Sequence, residues 1–148
     1  MSNLYFNWSA QMKYVVLFIT CLFSFNTASA GEKLTFEWGD IPLCTSGHTN
    51  QVSNPIFKLS AIPEGASWVY FKLRDLQSPY KHGGGWVELN GNLLIESGKF
   101  SYDSPCPPGG IHTYEWSASF TSKKSKLDWS GKLKGVIKVL KAQKRYPE

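Results

Sequence analysis

His112 and Tyr114 lie just beyond a run that no strand interior accommodates, Pro105-Cys106-Pro107-Pro108-Gly109-Gly110. Its three prolines fix φ and lack an amide hydrogen, so they cannot enter a paired ladder. Gly109 and Gly110 then permit the positive φ of a sharp reversal. The expected result is a stiff loop that delivers an imidazole and a phenol to the head of the next strand. Three chemistries compete for that histidine. With Asp75 and either Ser101 or Ser104 it supplies the residue types of a hydrolytic triad, but no Gly-x-Ser-x-Gly elbow is present. With Cys44, His48 and Cys106 it supplies those of a zinc site, but Cys44-x3-His48 and Cys106-x5-His112 fit no usual spacing. The third is ligand binding by a loop held on a scaffold, and a plain structural turn stands beside all three.

The elements that must position these residues read mostly as strands. Leu34 to Trp38 alternates apolar and polar residues, the period of a half-buried strand. Ser67 to Leu73 is dense in aromatic and β-branched residues and reads as a central strand. Ile62-Pro63-Glu64-Gly65 is a turn. Gly83-Gly84-Gly85 reads as a flexible connection, because no Gly-Lys-Ser/Thr ending follows it. Trp86 to Leu89 is then a short strand, Asn90-Gly91 a hairpin turn and Asn92 to Ile95 the return. Ile111 to Phe120 is another strand. Leu133, Val136, Ile137 and Leu140 fall at i, i+3, i+4 and i+7, which predicts an amphipathic C-terminal helix capped by Ser130. Strands followed by one helix imply a mainly β single domain.

The first 30 residues read separately. Lys13, an apolar run from Tyr14 to Phe25 and Ala28-Ser29-Ala30 form the three regions of a signal peptide, with Met12 an alternative start. The domain is then 31–148, exported to the periplasm or beyond, carrying 15 basic and 11 acidic residues. Nine of the basic residues lie between Lys123 and Arg145. This patch suits a solvated helix face or peripheral contact of the basic C-terminal helix with an anionic membrane. Nucleic acid is not expected, since no aromatic platform is interleaved with the lysines. Two cysteines remain, Cys44 and Cys106, an even pair that suggests one disulfide in an oxidising compartment.

Taken together, four pieces resemble the phosphatidylethanolamine-binding protein (PEBP) family, particularly its short bacterial members. Pro107-Pro108-Gly109-Gly110-Ile111-His112-Thr113-Tyr114 is similar to the family's Pro-Pro-x-Gly-x-His-Arg-Tyr signature, with Thr113 in place of the Arg. Asp75-Leu76-Gln77-Ser78-Pro79 is similar to its Asp-Pro-Asp-Ala-Pro, with Gln77 in place of the second Asp. Cys44 followed by Ser53-Asn54-Pro55, and Ile62-Pro63-Glu64-Gly65, complete the order over Ile41 to Phe120. The resemblance implies a large central antiparallel sheet packed on a smaller one, with peripheral helices. It also implies a small pocket for phosphate or a phospholipid head group, lined here by Asp75, Pro107, Gly110, His112 and Tyr114. A second family histidine aligns with Gly85 or with Glu88, so it is missing here unless His82 reaches in from the loop, and Glu88 joins the pocket. The expected function is therefore non-enzymatic binding without a cofactor or metal. The alternatives are a protease inhibitor or other envelope interaction protein acting through its surface and C-terminal helix, and a hydrolase.

Overall fold

The computed structural model describes residues 31–147, so the expected signal segment lies outside the described residues. Among the described residues there are nine strands and no helix. They are β1 (Leu34–Phe36), β2 (Gln51–Ser53), β3 (Phe57–Leu59), β4 (Trp68–Asp75), β5 (Lys81–Glu88), β6 (Leu94–Ile95), β7 (Ser101–Asp103), β8 (His112–Thr121) and β9 (Val136–Tyr146). A four-stranded antiparallel sheet runs β5-β4-β8-β9, beside a three-stranded sheet β1-β3-β6 and the pair β2-β7.

The period of two in β4 decides which side of the large sheet is inside. Val69, Phe71, Leu73 and Asp75 are buried, whereas Trp68, Tyr70, Lys72 and Arg74 turn to the opposite face. In register across β8, Phe120, Ala118, Trp116 and Tyr114 continue the buried face. The smaller sheet covers it with Leu34, Phe36, Phe57, Leu59 and Ile95. Phe57 stacks on Phe71 at 4.1 Å between centroids, and Trp116 meets Phe57 edge-on at 5.0 Å. Each such side chain contributes about 1.5–3 kcal/mol through removal from water. The Asn54 side chain, fully buried, donates to the Pro55 and Glu96 carbonyls and accepts from the Lys99 and Phe100 amides. It thereby fixes the chain where it leaves the small sheet.

Three sequence expectations are corrected. The C-terminal helix is absent: Val136 to Tyr146 is the long edge strand β9, paired with β8 from His112↔Tyr146 to Thr121↔Val136. Gly135 at φ 67° interrupts the helical pattern between Leu133 and Val136, and the β-branched Val136, Ile137 and Val139 favour a strand. Ser130 bonds to Asp128 instead of capping a helix. Second, Gly83-Gly84-Gly85 is not a flexible connection but part of β5. A Cβ on Gly84 would lie 1.9 Å from the Phe71 carbonyl oxygen, and one on Gly85 would lie 2.3 Å from Phe100 Cβ. The glycines are there because two neighbours approach too closely for any side chain. Third, Asn90-Gly91 does turn the chain, with φ of 44° and 77°, but the return strand β6 pairs with β3 and not with β5.

Candidate functional site

The end of the large sheet where β4 finishes and β8 begins collects the polar residues. Asp75 closes β4 directly opposite Tyr114, and His112 opens β8. The buried Asp75 carboxylate accepts from His112 Nδ1 at 2.7 Å and from the Gln77 amide at 2.8 Å. Gln77 Oε1 in turn accepts from the Thr113 amide at 2.8 Å, and the Leu76 amide donates to the Thr113 carbonyl at 2.9 Å. Gln77, the departure from the family motif, thus clamps the Asp75 turn onto the head of β8.

His82, the second residue of β5, is buried beside this pair. Its Nδ1 lies 2.9 Å from the Asp103 carbonyl, which can only accept, so the neutral ring carries its proton there and keeps its lone pair on Nε2. That Nε2 is buried and has no hydrogen-bond partner among the described residues. Tyr80 and Tyr114 flank the ring at 4.8 and 5.4 Å between centroids. Tyr80 Oη donates to the Asp103 carboxylate. The buried Tyr114 hydroxyl lies near Asp75 and the Cys106 backbone without a well-formed hydrogen bond to either, and burial together with the Asp75 charge pushes its ionisation well above the ordinary phenol range.

A cleft of about 290 Å³ opens here, lined by Asp75, Ser78, Tyr80 and His82 on one side and by Gly47, His48, Thr49, Cys106 and Pro108 on the other. The Cys44–Cys106 disulfide, with Cα atoms 5.3 Å apart, holds the second wall together. It also removes both thiols from the zinc alternative. The triad alternative does not assemble among the described residues. Ser104 is fully buried and its Oγ accepts from the Asn50 amide, while Ser101 lies on β7 opposite Ser53, and no hydrogen bond joins either to His112.

Of the expected site residues, Asp75, His112 and Tyr114 come together. Pro107 lies in the loop between the two lining residues Cys106 and Pro108, and Gly110 is exposed at its tip with φ 74°. Glu88 is exposed at the far end of β5, opposite Trp68. Six residues of strand put it about 20 Å from His82, away from this group. His82, Tyr80, His48 and Thr49 are the cleft residues that sequence patterns left out or named only in passing.

A solved structure from Chlamydia trachomatis, described as a phosphatidylethanolamine-binding protein homolog, matches with a TM-score of 0.56 at 16% identity, covering 79% of this chain and 97% of that one. The fold is PEBP-like. No family model and no curated protein matches the sequence. On β5 the glycine triplet separates His82 from Trp86, so that the residue directly before Trp86 is Gly85.

Burial raises the Asp75 pKa, but the hydrogen bonds from His112 and the Gln77 amide, with the His112 charge, outweigh it and hold the carboxyl below the ordinary range. A depressed carboxylate stabilises the fold above its unfolded pKa of about 3.9, and that contribution disappears as pH falls through the folded value. Asp75→Asn is therefore expected to be less stable at neutral pH by about 1.5–3 kcal/mol, the worth of a hydrogen bond to a charged group, with the deficit shrinking as pH falls below about 4. Thermal unfolding of both proteins across that range checks this; a deficit independent of pH would refute it.

Proposed function

We propose that the chain is a non-enzymatic, exported binding protein of the PEBP type, taking a small phosphate-bearing ligand such as a phospholipid head group in the cleft beside Asp75. The observation that carries this reading is His82 Nε2, buried at the cleft with its other nitrogen anchored and no partner of its own. An unpaired buried polar atom costs about 1–3 kcal/mol, and a ligand that pairs with it recovers that loss. Protonated, Nε2 donates to a phosphate oxygen; neutral, it accepts from an ammonium or hydroxyl. His112 lies outside the cleft lining but is bonded through Nδ1 to the lining residue Asp75, which brings a second imidazole, its Nε2 not engaged by that bond, to the same end of the sheet. Both Asp75 oxygens are already engaged, one by His112 and one by the Gln77 amide. This tempers the repulsion a bare carboxylate would exert on an anion; the Asp103 carboxylate is likewise engaged, by Tyr80, and Glu88 stands too far off to add its charge. The disulfide is consistent with an oxidising, exported setting.

The test is an NMR titration with inorganic phosphate and with phosphoethanolamine. Saturable shifts are expected at Asp75, His82, His112 and Tyr114. His82→Ala and His112→Ala should each weaken binding by about tenfold or more, as expected for a hydrogen bond to a charged group. Glu88→Gln should leave it unchanged. Absence of shifts at millimolar concentrations of both ligands would sink the reading.

A further inference from the structure

The basic residues of the C-terminal region remain to be placed once the helix is gone. Five lysines fall in the loop between β8 and β9, residues 122–135, and Trp129 stands at its tip 99% exposed, with Leu127 40% exposed nearby. Burial in a core cannot account for an indole left wholly in water. The loop is nonetheless built. Asp128 Oδ1 accepts from the Ser130 amide, the Ser130 hydroxyl and the Lys132 amide, and the Asp128 amide donates to the Lys132 carbonyl. The only carboxylate of the segment is thereby engaged by its own loop while staying partly exposed, and these hydrogen bonds hold it below its ordinary range. At the root, Thr121 Oγ1 donates to the Lys123 carbonyl, and Lys124 Nζ sits 5.6 Å from the Trp68 ring on the open face of the large sheet.

We propose that this loop docks the protein on an anionic lipid surface, with Trp129 and Leu127 entering the interface and Lys123, Lys126 and Lys134 meeting the head-group charge. Indoles settle at the head-group level of a bilayer, aliphatic side chains enter the acyl boundary, and lysines gain from a negative surface. A nucleic acid would use the single free ring for stacking but has no use for the leucine, and it is better served by successive rings along a groove. The loop leaves the sheet at the Thr121 end of β8, whereas His112 stands at the other end, ten residues or about 30 Å away. Docked in this way, the protein would hold its cleft away from the lipid that anchors it. This surface is independent of the cleft reading: either can fail alone.

The experiment is vesicle flotation of the full chain with phosphatidylcholine alone and with phosphatidylcholine containing phosphatidylglycerol. All variants share residues 1–30, so differences between them report on the loop. Wild type should bind the anionic vesicles in a salt-sensitive manner and bind the neutral ones more weakly. Trp129→Ala, and separately the combined Lys123→Gln, Lys126→Gln and Lys134→Gln, should each reduce anionic binding by about tenfold or more. Because these side chains are exposed, circular dichroism and the melting temperature should stay unchanged. Full binding by both variants would overturn the proposal. So would equal binding of wild type to neutral vesicles, or displacement from the vesicles by a single-stranded oligonucleotide at lower concentration than the lipid.

Discussion

Gly84→Ala is expected to destabilise the protein by about 4 kcal/mol or more, the range reached when a substitution must move backbone. The added Cβ would lie 1.9 Å from the Phe71 carbonyl oxygen, 2.8 Å from its carbon and 2.9 Å from Lys72 Cα. All three are backbone atoms of the central strand β4, so no rotamer change relieves the overlap and β4 must part from β5. Because His82 lies two residues upstream on β5, the cleft should suffer with the sheet. Urea unfolding gives the measurement, with Gly109→Ala as the control, since a Cβ there meets open space and should cost less than about 1 kcal/mol. A loss below about 1 kcal/mol for Gly84→Ala would mean that the two strands are not packed this closely.

Removing the disulfide ranks next. Cys44→Ser with Cys106→Ser frees a loop whose ends are 62 residues apart, for which the chain-entropy relation gives about 4 kcal/mol. For a domain of this size that corresponds to a drop in melting temperature of roughly 15 °C. The functional effect should exceed the thermal one. Gly47, His48 and Thr49 form a cleft wall reached through Cys44, and Cys106 and Pro108 form its continuation. Without the bridge the two segments keep weaker ties, such as the hydrogen bonds between Asn50 and Ser104. The double variant should therefore lose phosphate affinity even at temperatures where it is fully folded. An unchanged denaturation midpoint would contradict the stability estimate, and unchanged ligand shifts would contradict the role of the wall.

The parts of the fold legible in the sequence are those where a local pattern and the tertiary environment agree. β4 is buried on one face and dense in aromatic and β-branched residues, so its composition identifies it. β8 is similar, and the loop before it is marked by prolines that no ladder accepts. β9 was not legible because Leu133, Val136, Ile137 and Leu140 satisfy a helical period by coincidence. The deciding signals, Gly135 and the inward alternation Leu140, Ala142, Lys144 and Tyr146, were weaker. The same holds for β5, where three consecutive glycines read as a connection until the atoms of Phe71 and Phe100 show what they leave room for. At the site, Asp75, His112 and Tyr114 were legible because short motifs surround them. His82 was not, because its place depends on the register of β5 against β4 with a bulge between Lys72 and Arg74, and no motif records a register.

The large sheet is closed by its last strand. Trp38 Nε1 donates to the Arg145 carbonyl, Lys144 pairs with Glu37 and Lys138 with Glu32, so that segments more than a hundred residues apart meet along β9. β8, the strand bearing His112, has β4 on one side only until β9 arrives. Contacts of such long sequence separation delay folding, because loop closure must come before they contribute. Until β9 pairs, β8 therefore presents an open edge, and the chain can still be threaded or captured in extended form. Pairing of β9 adds the last strand of the sheet, supplies the second neighbour of the strand that bears His112, and takes up the carboxylates of Glu32 and Glu37.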